Sequence, residues 1–133
     1  MPELIYSLIC SDLIIDKDSS STSFIRTIEH AVVPELPATL PSIFFASLWD
    51  LEKSGEKPFS VSLTLIPPAG DSITLGMQEI TPGGTMLHKM NFQLPGLRVE
   101  NEGKHVIAVA VKAEGDWETL AQLPIFVFKN NNE

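Results

Sequence analysis

Two antiparallel β-sheets stacked face to face are what this chain of 133 residues predicts, and three observations carry the prediction. Apolar side chains recur at every second position in several short runs, the pattern of strands with one face buried. Turn-forming residues separate these runs at intervals of about a dozen residues, the spacing of sandwich strands. No run has the length and period of a stable helix. The pattern is sharpest from Met90 to Phe128, where Glu102-Gly103 and Glu114-Gly115 cut one apolar run from the next.

The length fits one domain, expected over residues 1–129, with residues 130–133 as a disordered tail. A chain of this size buries roughly two-thirds of its unfolded surface, enough for a core without disulfide or metal. The chain is 44% hydrophobic and 20% charged, which places it with globular rather than disordered sequences.

Taken in order, the first strand is expected over Leu4–Leu13, with Leu4, Tyr6, Leu8 and Cys10 on one face. Asp16-Lys17-Asp18-Ser19-Ser20-Ser21 reads as a hairpin tip, since Asp and Ser side chains bond to nearby backbone in turns. The return strand is expected over Thr22–His30. Val33 to Pro41 holds three prolines, which cannot serve in a central strand, and reads as an extended crossover between sheets.

Ser42–Leu51 reads as a strand, with a short helix as the alternative for its second half. Ile43, Phe45, Ser47, Trp49 and Leu51 share one face, so Trp49 is expected in the core. Glu52 to Pro58 is a charged turn. In Phe59–Ile66 the residues Phe59, Val61, Leu63 and Leu65 face inward. Ser72–Gln78 follows, with Ile73, Leu75 and Met77 aligned, and then Met86–Leu94, with Met90, Phe92 and Leu94 inward.

Lys104–Ala113 is the strongest strand, with His105, Ile107, Val109 and Val111 on one face. The other face carries the smaller Val106, Ala108 and Ala110, which suggests a close neighbour over it, a loop or a partner chain. Trp117–Phe128 returns, and Pro124 argues for a bulge or an edge position there.

Leu8-Ile9-Cys10-Ser11-Asp12, followed by a polar tip and an apolar return, together with the stretch from Leu97 to Val109, resembles an uncharacterised family of small bacterial β-sandwich proteins. The resemblance implies an immunoglobulin-like sandwich and carries no activity. The chain departs from the family pattern at His105, where an aromatic residue is usual, and at Phe24-Ile25-Arg26, which replaces a glycine-containing strand.

Composition narrows the partners. Seventeen acids against nine bases give a net charge of −8, which repels a phosphate backbone and anionic membrane surfaces, so neither nucleic acid nor membrane is expected as a partner. No apolar segment approaches the roughly 20 residues of a membrane span. The N-terminal residues lack the basic region of a secretory signal, and the lone Cys10 suits a reducing compartment, so the cytoplasm is the expected location. Inside a strand, Cys10 reads as a small buried hydrophobe rather than a nucleophile.

Chemistry-bearing patterns are few. His30, His88 and His105 stand alone, with no second ligand at metal spacing. A calcium loop starting at Asp16 would need its glycine at Ser21 and its bidentate glutamate at Thr27. No nucleophile elbow or phosphate loop occurs, and Thr81-Pro82-Gly83-Gly84-Thr85 lacks the lysine such a loop needs. Glu100 and Glu102 share a side but lie in a turn. No cofactor, metal or catalytic residue is therefore expected. Trp117, beside a tight turn, is the one candidate ligand-binding residue, by stacking on a sugar ring.

The expectation is thus an immunoglobulin-like antiparallel sandwich of seven to nine strands with Greek-key connections and a core including Leu8, Phe45, Val61, Leu63, Phe92, Ile107, Val109 and Ile125. Functionally it is expected to be a non-enzymatic module that binds a protein partner or itself, the latter through the small-residue face of Lys104–Ala113. The alternative is a small-ligand or carbohydrate binder using Trp117. An enzyme is third, and would need acids and histidines from separate strands to meet in a pocket.

Overall fold

A computed structural model describes residues 2–52 and 57–130. It contains eleven strands and, among the described residues, no α-helix. They are β1 (Glu3–Ile15), β2 (Thr22–Thr27), β3 (His30–Val33), β4 (Ala38–Thr39), β5 (Ile43–Asp50), β6 (Phe59–Ile66), β7 (Ile73–Ile80), β8 (Leu87–Leu94), β9 (Arg98–Val99), β10 (Gly103–Lys112) and β11 (Glu118–Lys129).

Nine of them form two sheets, ordered β2-β1-β5-β8 and β3-β11-β10-β6-β7, while β4 and β9 pair separately. β6, β10 and β11 lie side by side as the C, F and G strands of an immunoglobulin sandwich do, and β1, β5 and β8 as A, B and E do. The segment 42–51 is strand throughout its core and not helix, because alternate residues of β5 are buried against the opposite sheet.

The interior is built from the predicted alternation. Phe45 and Trp49 from β5 face Val61 and Leu63 from β6, Ile107, Val109 and Val111 from β10, and Ile125 and Val127 from β11; all are within 2% of fully buried. Trp49 and Phe59 join the sheets with ring centroids 5.9 Å apart. Ser47 lies among these residues without an orphan: its hydroxyl donates to Met90 O at 2.8 Å and accepts from Trp49 Nε1 at 3.0 Å. A buried polar group satisfied on both sides avoids the desolvation cost of an unpaired one.

Several expectations need correction. The return strand does not run from Thr22 to His30 in one sheet. β2 ends at Thr27, Ile28 N–H donates to Ile9 O in the first sheet, and Glu29 O accepts from Phe126 N–H in the second. The chain changes sheets within two residues, and β3 then pairs with β11 in parallel, so the sandwich is not wholly antiparallel.

Register shifts explain two misplaced faces. An irregularity between Leu4 and Tyr6 and the pairing of Ile9 with Phe45 put Ile9 in the core, while Leu8 is half-buried on the other face beside Ala46. In β7 the ladder skips Leu75, since Thr64 pairs with Thr74 and Leu63 with Gly76. That bulge turns Met77 to the outer face, where it is exposed, and Ile80 is the residue that reaches the core, while Ile73, opposite Leu65 ahead of the bulge, is exposed at the start of the strand.

Pro124 occupies an edge stretch of β11, because β3 joins that strand only from Phe126 onward. Asn130, expected to begin a disordered tail, donates its N–H to Val33 O at 2.7 Å. The rest of that tail, 131–133, and positions 53–56 of the charged turn lie outside the described residues.

The hairpin of β1 and β2 folds back over the first sheet. Phe24 pairs with Leu13, seven residues along β1 from Tyr6, a span of roughly 23 Å in a straight strand. Yet the Tyr6 and Phe24 rings meet edge-to-face at 5.7 Å. Lys89 of β8 reaches the same arm, donating to Ser20 O and, at 2.9 Å, to Thr22 Oγ1. The bend falls where Arg26 takes a left-handed φ of 54° and Ser11 Oγ donates to Ile25 O. Under the arm, Cys10 and Ala46 on the outer face of the sheet are fully buried.

Candidate binding surfaces

The outer face of the five-stranded sheet follows from the same alternation that builds the core. Ile125 and Val127 point inward, so Phe126 and Phe128 point outward. The parallel register sets His30 beside Phe126 and Val32 beside Phe128, and Val106 lies between Pro124 and Ile66. Val32 is 61% exposed, Phe128 49%, Phe126 40% and Ile66 38%. The small residues Val106, Ala108 and Ala110 lie in the middle of this face, Ala108 flanked by Thr64 and Gln122. Lys104 and Lys112 mark the two ends of β10.

The sheet edges are each blunted. Arg26 distorts β2, Pro34 follows the four-residue β3, the Leu75 bulge interrupts β7, and β8 carries Lys89. These are devices that discourage strand-to-strand pairing.

A groove adjoins this face. It has a volume of about 560 Å³ and lies between β3, the proline-containing crossover and the start of β5. Ile28, Val33, Leu40 and Ile43 give it apolar walls, and His30, Glu35 and Thr39 are its polar residues. The crossover is held in place by the β4–β9 pair and by Leu40 N–H donating to Leu97 O at 2.7 Å. The sequence marked Val33–Pro41 as a crossover but gave no sign that it would stand off the sheet and leave a space.

A smaller hollow of about 160 Å³ lies at one end of the sandwich, with Asp71, Arg98, Glu100 and His105 among its lining. His105 is 2% exposed. Its Nδ1 is 3.2 Å from Gly103 O, a carbonyl that only accepts, so Nδ1 is the donor in that contact. Nε2 is buried with no partner among the described residues. Gly103 makes this turn possible with φ of 123°, a backbone conformation that other residues rarely adopt.

Trp117 is 41% exposed, just ahead of β11 and two residues after Gly115, whose φ is 79°. It lines neither the groove nor the hollow. Trp49 is in the core.

The remaining chemistry-bearing groups are engaged or apart. Burial raises the Cys10 thiol above its ordinary pKa of 9.0. Asp16 Oδ1 accepts the N–H groups of Asp18 and Ser19, which holds its carboxyl below the ordinary value and builds the hairpin tip. Glu100 pairs with Arg98 at 2.9 Å, and Glu102 accepts the N–H of Lys129. Among the described residues no group of three or more His, Cys, Asp or Glu could hold a metal ion, and no helix is long and apolar enough to cross a membrane.

No family model matches the chain, and no curated protein does. Among solved structures the chain is similar to a β-glucosidase from Listeria innocua in complex with gluconolactone, at 12% identity and a TM-score of 0.44. The similarity covers 94% of this chain, which spans 17% of that enzyme's length. At that level the likeness carries no argument about chemistry.

Proposed function

We propose that the protein is a non-enzymatic binding or assembly module whose working surface is the outer face of the five-stranded sheet. The observation that supports this most is the pair of exposed aromatics, Phe126 and Phe128, set in register with Val32 on a regular sheet. Each exposed ring keeps apolar area in water that a partner's surface would cover. The blunted edges favour contact through a face over strand addition. Self-association is the simplest form, with the small-residue strand β10 at the middle of the contact. The free, buried Cys10 suits a reducing compartment, and we place the module in the cytoplasm.

Sedimentation across a wide concentration range tests this. The wild type is expected to gain mass with concentration, and Phe126→Lys and Phe128→Lys to stay monomeric. A wild type that is monomeric throughout, or lysine variants that associate equally well, removes this surface from the proposal.

A second reading, a small-ligand binder, is favoured by the groove of about 560 Å³, within the roughly 300–1,000 Å³ of ligand sites.

A further inference from the structure

We propose that the groove behind the proline-containing crossover binds small molecules with an apolar body and a cationic amine. This rests on the small-ligand reading and is independent of the assembly reading.

Three features point to that chemistry. The walls are aliphatic and proline-rich, with Val33, Leu40 and Ile43 at the core side and Pro34, Pro37 and Pro41 along the crossover. Such walls accept an apolar body and offer it few hydrogen bonds. Among the described residues the lining holds one carboxylate, Glu35, and one histidine, His30, with no lysine or arginine. In a chain of net charge −8 that lone carboxylate sets the local sign, so a cation is favoured and an anion is disfavoured. The space is also formed in advance. The crossover is pinned at one end by Asn130 N–H to Val33 O, and further along by Leu40 N–H to Leu97 O, both at 2.7 Å. Proline fixes the backbone angle between those pins, so little ordering remains for the ligand to impose.

The end hollow carries no equal argument, since His105 Nε2 is too enclosed to meet a ligand entering it.

The test uses two near-isosteric probes of opposite charge, 2-phenylethylamine and 3-phenylpropionate, titrated into the ¹⁵N-labelled full chain. The amine is expected to bind more tightly, with amide shifts concentrated between Ala31 and Leu40. Glu35 is exposed, so its replacement leaves the fold intact. Glu35→Gln is expected to reduce the preference for the amine by about three- to fivefold, the scale of one exposed charge pair. Glu35→Lys is expected to reverse it. Equal binding of both probes in the groove overturns the cationic assignment while leaving a ligand groove. No shift at Ala31–Leu40 with either probe overturns the small-ligand reading as well. Shifts confined to Phe126 and Phe128 would assign the probes to the outer face and overturn the proposal.

Discussion

Tyr6 and Phe24 meet edge-to-face at 5.7 Å although the strand pairing sets Phe24 beside Leu13. The contact is possible only because the β1–β2 hairpin turns back on its own sheet. Aromatic pairs of this geometry contribute about 0.5–1.5 kcal/mol beyond their buried area. A double-mutant cycle of Tyr6→Leu and Phe24→Leu, followed by chemical denaturation, is therefore expected to give a coupling energy of that size. A coupling near zero would mean that the arm does not rest on the sheet.

The same arm governs Cys10. With its thiol fully buried and its pKa raised by burial, the native protein is expected to react slowly with a disulfide reagent near neutral pH. Lys89→Ala removes the donor to Ser20 and Thr22, and is expected to speed labelling without unfolding the sandwich. Equal labelling rates in the two proteins would show that Lys89 does not hold the arm.

Ser47 offers a test of the interior. Ser47→Ala leaves Trp49 Nε1–H buried without its acceptor, and a loss of about 1–3 kcal/mol is expected in denaturant unfolding. Trp49→Phe in the Ser47→Ala background removes the stranded donor, so the two losses should fall short of adding. Strict additivity would contradict the Ser47–Trp49 bond.

At the hairpin tip the Asp16 carboxyl is held below its ordinary value of 3.8 by the N–H groups of Ser19 and Asp18. A depressed folded value means that this stabilisation is present above the unfolded value and is lost as pH falls through the folded one. An NMR titration is expected to place the Asp16 midpoint below 3.8. A midpoint at or above it would contradict the turn geometry.

Much of the sandwich was legible because the period-two alternation of Phe59–Ile66 and the β-branched run of Lys104–Ala113 both read as strand. Legibility failed where the period slipped. The irregularity near Tyr6 and the extra residue at Leu75 each shift the face of everything beyond; the first has no glycine or proline to announce it, and Gly76 beside the second is its one local sign. The sheet change between Ile28 and His30 was hidden because the residues on both sides remain strand-like. Of the candidate surfaces, the small-residue side of β10 was visible in sequence, whereas its aromatic neighbours depend on the β3–β11 register. The groove was not visible, since it depends on how far a proline-containing crossover stands from a sheet. Trp117, the residue that sequence singled out, stands exposed just ahead of β11.

In the proposed assembly the five-stranded sheet keeps one face dry inside the sandwich and leaves the other open to a partner. A soluble paramagnetic agent, applied to the side chains by NMR at low and high protein concentration, measures this directly. At low concentration strong broadening is predicted for Val32, Phe126 and Phe128 and none for Val109, Val111 and Val127, with the first group becoming protected as concentration rises. Broadening of Val109 and Val127, or protection of Phe126 and Phe128 in the dilute protomer, would contradict the account.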